Sequence, residues 1–283
     1  IVRITVKDGS LKKLPRPGYY GMGPKPSPDG KMVAAITIQE EHGFGHIPRL
    51  TVFKPDGTGW RDLNLEIDRS VGAQNYQSQF YWAQDSQGLY CLIDDQGYSQ
   101  VFYLELESGQ FTLVTGQDEL IQSFGANAAG DVVYVARTAK HPPEVYIARR
   151  GKKPARITKL HDEWLKGVQV APTEEIRYKA PDGQEIHGWI VKPPDFNPKE
   201  RWPLALNIHG GPHVMWSPAA HAMWLEWQLH AACGYVVFFC NPRGSDGYGD
   251  AFRTAIHNNW GEADMPDILS GVDAVVAKGY VDE

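Results

Sequence analysis

Cysteine is scarce in this chain, with Cys91, Cys233 and Cys240 the only three in 283 residues. The number is odd, and each lies in an apolar strand or helix context, which fits buried thiols in a reducing compartment better than a disulfide framework. No window approaches the ~20 apolar residues that a bilayer span needs, which excludes a membrane helix. Positive charge is in deficit, with 28 Lys and Arg against 34 Asp and Glu. A net charge of −6 argues against a nucleic-acid partner, which would select a basic surface. No H-E-x-x-H occurs and the cysteines show no paired spacing, so His209, His213, His221 and His230 read as loop and helix-surface residues and no metal is expected. A cytoplasmic protein follows by default. The chain opens Ile1-Val2-Arg3 without methionine, which suggests that a native start, signal or tag has been removed. Large core side chains are plentiful, with nine Trp and thirteen Tyr.

The first 170 residues repeat. Val2–Pro15, Leu50–Leu65, Val101–Gly116 and Val145–Leu160 each read as two β-rich runs around a glycine turn. The turns are Asp8-Gly9, Asp56-Gly57, Ser108-Gly109 and Gly151, spaced 48, 52 and 42 residues apart. Asp-Gly or Ser-Gly between alternating apolar residues signals a hairpin, because glycine tolerates the positive φ such turns need. A second repeat interleaves. Ser27-Pro28-Asp29-Gly30 precedes Lys31–Ile38, Asp85-Ser86-Gln87-Gly88 precedes Leu89–Ile93, and Ala128-Ala129-Gly130-Asp131 precedes Val132–Ala136. A period of roughly 40–50 residues with about four strands per unit predicts a β-propeller; a β-sandwich with similar hairpins is the alternative. About three and a half blades are present, short of a closed ring, so both ends of the chain are expected to be cut.

After Gly167-Val168 the pattern changes, placing a domain boundary at 170/171. Glu174–Ala180 and Gln184–Lys192 around Pro181-Asp182-Gly183 predict a hairpin. Leu204–Ile208 and Tyr235–Cys240 read as buried strands, Pro218–Cys233 and Asp264–Lys278 as helices. The first helix carries Met223, Trp224, Trp227 and Leu229 on or near its apolar face, the second Ile268, Leu269, Val272, Val275 and Val276. Strand–helix alternation predicts a largely parallel α/β sheet with ligands beyond the carboxyl ends of its strands. The expected fold class is a partial β-propeller over 1–170, followed by the N-terminal half of an α/β-hydrolase domain over 171–283.

Two loops sit at such strand ends. His209-Gly210-Gly211-Pro212 follows the first strand, and its glycines let backbone N–H groups approach a reacting centre with no Cβ in the way. In α/β-hydrolases this loop gives one oxyanion donor and the residue after the nucleophile gives the other. Gly211 is the first candidate donor, Gly210 the second, with His209 shaping the loop; a plain strand-exit turn is the bland reading. Asn241-Pro242-Arg243-Gly244-Ser245-Asp246-Gly247-Tyr248-Gly249 follows the next strand as a folded-back loop. Arg243 either locks it against a buried carboxylate or faces a substrate carbonyl or carboxylate. Asn241, Gly244 and Tyr248 are structural candidates, and Asp264 is placed to cap the last helix or to pair with Arg243. Glu40-Glu41 reads as a solvated turn rather than an anchor for a substrate amino terminus, and Trp216, Trp224 and Trp227 read as core. None of the eleven serines stands in the G-x-S-x-G elbow that carries the nucleophile in this fold. Ser245 fails because Arg243 occupies the position where the elbow needs glycine.

These residues resemble the prolyl oligopeptidase family of serine peptidases, most closely its acylaminoacyl-peptidase-like branch. The resemblance rests on His209-Gly210-Gly211-Pro212, on Asn241-Pro242-Arg243-Gly244-Ser245 with Gly247-Tyr248-Gly249, and on Trp260-Gly261 with Asp264, Asp267, Gly271 and Val272-Asp273. His213 favours that branch. The family implies a propeller over a Ser-Asp-His triad, cleavage of short or N-acylated peptides, and no metal or organic cofactor. Only the oxyanion loop carries over to this sequence, since serine, aspartate and histidine of the triad are all missing. The expectation is a part of a serine peptidase that hydrolyses nothing alone. Its expected partners are a short peptide substrate, the remainder of the catalytic domain, and a second copy of itself in a homo-oligomer. A carboxylesterase or lipase of the same fold and a non-catalytic propeller-based binding protein are the alternatives.

Overall fold

The computed structural model describes residues 1–41, 45–71, 79–220 and 222–282. His221, raised above, lies outside the described residues.

The predicted hairpins form in every repeat. Strands β1 (Val2–Ile4) and β2 (Leu11–Lys13) pair antiparallel around Asp8-Gly9. Three antiparallel four-stranded units follow. The first comprises β3 (Tyr19–Pro26), β4 (Val33–Gln39), β5 (Arg49–Phe53) and β6 (Arg61–Asp62). The second comprises β7 (Phe80–Trp82), β8 (Gly88–Asp95), β9 (Tyr98–Glu105) and β10 (Phe111–Leu113). The third comprises β11 (Leu120–Ala126), β12 (Val132–Thr138), β13 (His141–Ala148) and β14 (Ala155–Arg156). One parallel bridge, Leu120 to Ser99, links the second and third units into a single sheet. Among the described residues no pairing joins the first unit to the last.

Period-two alternation stacks these units. On β8, Leu89, Cys91 and Ile93 pack with Ala34, Ile36, Leu50 and Val52 of the unit before. Leu92, pointing the other way, packs with Ile121, Phe124 and Tyr134 of the unit after. Successive side chains of a strand face opposite sides, so one strand serves two cores.

A four-residue helix, α1 (Asp162–Leu165), precedes the second architecture. There β15 (Thr173–Lys179), β16 (Glu185–Val191), β17 (Leu204–Asn207) and β18 (Val236–Asn241) form a sheet of order β15-β16-β18-β17. The expectation of a largely parallel sheet needs correction. Only β17 and β18 pair parallel, while β16 lies antiparallel to both its neighbours. A tight Pro181-Asp182-Gly183 turn can only return the chain antiparallel, whereas the β17–β18 connection is long enough for a helical crossover.

That crossover helix, α2 (Trp224–Ala232), starts six residues later than Pro218. The Ser217 hydroxyl accepts the Ala219 N–H and Ala220 N bonds the Ser217 carbonyl, a side-chain-closed turn that competes with helix. On α2, Trp227 and Ala231 are buried but Leu229 is 56% exposed, another correction to the predicted face. Cys233 is exposed too, while Cys91 and Cys240 are buried as free thiols. Helix α3 (Asp250–Thr254) and helix α4 (Asp264–Val276) complete the chain.

The helices cover opposite faces of the sheet. Ile186, Ile190, Val236, Phe238 and Cys240 meet Ile268 and Val275 of α4. The intervening Trp189, Val191, Val237 and Phe239 meet Trp227 and Ala231 of α2. Phe239 stacks on Trp227 with centroids 3.7 Å apart, a ring pair worth about 0.5–1.5 kcal/mol beyond its burial. After α4 the chain returns to the β17 side, where Val281 makes a parallel bridge with Trp202. No helix among the described residues is long and apolar enough to cross a membrane.

Candidate active site

His209-Gly210-Gly211-Pro212-His213 leaves the carboxyl end of β17. Gly211 has φ +136° and precedes a cis peptide to Pro212. Among the described residues, neither Gly210 N–H nor Gly211 N–H finds an acceptor, and both glycines are exposed. Two adjacent free donors on a strand-exit loop differ from a closed turn, which would satisfy them internally. The loop opens into a cavity of about 370 Å³ that Gly211, Pro212 and His213 share with Ile256, His257 and Trp260. Gly45, from the β4–β5 connection, also lines it.

The Asn241–Gly249 loop buttresses this arrangement. Asn241, fully buried at the end of β18, accepts the Trp216 N–H at 2.8 Å and donates to the Trp216 carbonyl at 2.8 Å and the Tyr248 hydroxyl at 3.0 Å. It thereby ties the segment after the glycines to the central strand. Tyr248 continues to His187 Nδ1 at 2.8 Å. Burial depresses the His187 imidazole to about 3, keeping it neutral. His213 Nδ1 lies 2.8 Å from the Gly244 carbonyl. Burial first, and the Arg253 guanidinium second, lower its basicity.

Ser245 is 1% exposed, and its hydroxyl bridges the Pro242 carbonyl at 2.6 Å and His209 Nε2 at 3.1 Å. It therefore orients His209, whose basicity burial lowers, and presents no open face to a substrate. Arg243 is fully engaged by this chain. Its guanidinium binds Asp267 through Nε and Nη2, at 3.0 and 2.7 Å, and Asp182 through Nη1. Those pairs raise its basicity further, the Asp267 hydrogen bonds most. The guanidinium thus ties the loop to α4 and to the β15–β16 turn. Asp264 does not pair with it. The Asp264 carboxylate instead accepts the Gly261 N–H at 2.7 Å, ahead of α4, because one helical turn separates it from the buried position of Asp267.

Sequence reasoning missed the buried junction beneath this site. Ser70 donates to Asp246 at 2.6 Å, and Arg253 Nη1 lies 2.8 Å from the other Asp246 oxygen. Arg253 also donates to the Gly45 carbonyl at 3.0 Å. Asp94, which accepts from the Ser99 hydroxyl, is pushed up to about 7 by burial and by Asp246. Nearby, Asp250 accepts from Ile47 N at 2.7 Å and contacts His46 at 2.8 Å. Asp246 stands inside a motif visible in the sequence, but nothing there marks Ser70, Asp94 or Arg253 as its neighbours. Glu40 and Glu41 are exposed where β4 ends. Trp227 is core, while Trp216 and Trp224 are partly buried.

Comparison with known proteins gives this chain a family. Residues 221–283 match the model of the prolyl oligopeptidase family. The chain is 34% identical over 199 residues to the uncharacterized peptidase YuxL of Bacillus subtilis, covering 70% of this chain and 30% of that protein. It is 25% identical to dipeptidyl-peptidase 5 of Schizosaccharomyces pombe, covering 97% of this chain and 39% of that one. It thus spans about a third of the length of these curated relatives. In fold it is similar to acylaminoacyl peptidase of Pyrococcus horikoshii, with a TM-score of 0.80 at 24% identity, over 97% of this chain and 41% of that structure.

Proposed function

Because the chain belongs to the prolyl oligopeptidase family, we propose that it supplies the oxyanion loop and part of a propeller to a serine peptidase acting on short or N-acylated peptides. The reading is carried by the two unbonded N–H groups of Gly210 and Gly211, the second of which lines a cavity. In acyl transfer such donors stabilise the charge that develops on the carbonyl oxygen, and Gly211 is the donor we assign.

The nucleophilic serine, its histidine base and the orienting aspartate come from outside these residues, the serine from an elbow on a strand beside β17. The Val281–Trp202 bridge supports that position, since it sets the chain parallel to β17 at its open edge. The three stacked four-stranded units are consecutive propeller blades, and residues 1–170 and 171–283 are two domains. The acylaminoacyl-peptidase branch, a peptide substrate and a cytoplasmic setting for three unpaired thiols belong to the same proposal.

Fluorophosphonate labelling of the full-length protein tests it, with the adduct mapped by mass spectrometry and turnover read on peptide p-nitroanilides. An adduct on a serine outside the eleven of this chain, with turnover, is the expected result. Absence of both adduct and turnover would sink the proposal, and an adduct on Ser245 would replace its mechanism. The 283-residue chain alone is expected to turn over nothing.

A further inference from the structure

Remote from the oxyanion loop, a second cavity of about 870 Å³ opens between the second and third β-units. Its size lies within the roughly 300–1,000 Å³ of small-ligand pockets. Tyr90 and Tyr103 form part of its lining, with ring centroids 5.1 Å apart and planes tilted 55°. Leu113 and Ala148 add apolar surface. Both tyrosines are half-buried, so part of each ring reaches the cavity.

The charges around this lining are divided by element. The β13–β14 turn contributes Arg149, Arg150 and Lys152, and the β7–β8 turn and the end of β9 contribute Asp85 and Glu105. Among the described residues none of the three cations makes an ion pair, whereas Arg156, just beyond, is bound to Asp162 at 2.8 Å. The two carboxylates are occupied only by local donors, the Gln87 N–H and the Ser108 hydroxyl. Burial makes both tyrosine hydroxyls harder to ionise; Asp85 adds to this and Arg150 opposes it.

We propose that this cavity binds short zwitterionic peptides, with the carboxylate on the Arg149–Lys152 turn, the ammonium on Asp85 and Glu105, and a side chain against Tyr90 and Tyr103. A polyanion such as a nucleoside polyphosphate satisfies the cations but drives surplus negative charge against Asp85 and Glu105. A cation fails in the converse way. A dipolar ligand meets both, and charge-assisted hydrogen bonds at each end are the stronger kind. The site stands on its own chemistry and does not depend on the role given to Gly211.

Calorimetric titration with tri-D-alanine, an uncleaved zwitterion, is the test. Saturable binding is expected that weakens at least tenfold for N-acetyl-tri-D-alanine amide, which lacks both charges. Arg149→Glu with Arg150→Glu should cost a similar factor, and Asp85→Asn with Glu105→Gln should independently weaken the free peptide. Gly211→Ala should leave the affinity unchanged. Equal binding of the blocked peptide, preferred binding of ATP, no binding at all, or loss on Gly211→Ala alone would each overturn the proposal. Because turnover is never read, failure here leaves the peptidase reading intact, and the converse also holds.

Discussion

A Cβ placed on Gly210 would meet open space, whereas one on Gly211 would lie 2.5 Å from Val214 Cγ2 on a backbone with φ +136°. An L side chain at 211 is therefore strained twice, by its own dihedral and by its neighbour, and the N–H must move. Removing one oxyanion donor costs about 10²–10³ in kcat. In the full-length protein Gly211→Ala should lower kcat on a peptide p-nitroanilide by at least about 100-fold with little change in KM. Gly210→Ala should stay within about threefold, because its Cβ costs nothing and its N–H is the second-choice donor. A reversed order would transfer the role to Gly210. The doublet was visible in the sequence, but its asymmetry was not. Which glycine tolerates a side chain depends on Val214, three residues on, folding back against the loop.

At the scale of the element, α4 shows what the sequence can and cannot say. Its apolar stripe and acidic first turn predicted Asp264–Lys278, and the helix runs Asp264–Val276. Periodicity and dipole complementarity are local and readable. The choice between Asp264 and Asp267 as partner of Arg243 was not readable. Both lie in the first turn, and only packing against the sheet decides which is buried. Gly271 brings α4 so close to β18 that a Cβ there would overlap the Phe238 ring, and this approach buries Asp267 beneath the loop. Asp267 then accepts the Arg243 backbone N–H at 2.8 Å as well as the guanidinium. Its loss leaves three donors of the largely buried Arg243 unsatisfied, the backbone N–H, Nε and Nη2, and breaking such a pair costs about 3–5 kcal/mol. Asp267→Ala should lower unfolding free energy by about 3 kcal/mol in urea titrations. Arg243→Ala added to it should cost much less than its own single effect, since the partners share one interaction. Strict additivity would mean that the pair does not hold the loop.

Across the whole molecule, the repeats and the change of architecture near residue 170 were legible because hairpin turns and strand alternation are short-range signals. The junction between the β-units and the α/β sheet was not, because its partners are far apart in sequence; Ser70 and Asp246 are separated by 176 positions. That junction should also be the pH-sensitive part of the structure. Asp94 is 2% exposed and faces Ser99, the Asp246 carboxylate and the Arg253 guanidinium. Burial and Asp246 hold its proton on, while Ser99 and Arg253 oppose them, and its pKa stands at about 7 against an ordinary 3.8. Between those values the folded protein binds a proton that the unfolded chain has released. By linkage, the Asp94 contribution to stability falls as pH rises from about 4 to about 7 and is level above that. Asp94→Asn keeps an oxygen acceptor for Ser99 and removes the titration. Relative to the unsubstituted protein, this variant should therefore gain thermal stability as pH rises from about 4 to about 7, read as a widening difference in Tm that levels off above that. Parallel Tm curves for the two proteins would show that Asp94 ionises as freely in the junction as in the unfolded chain.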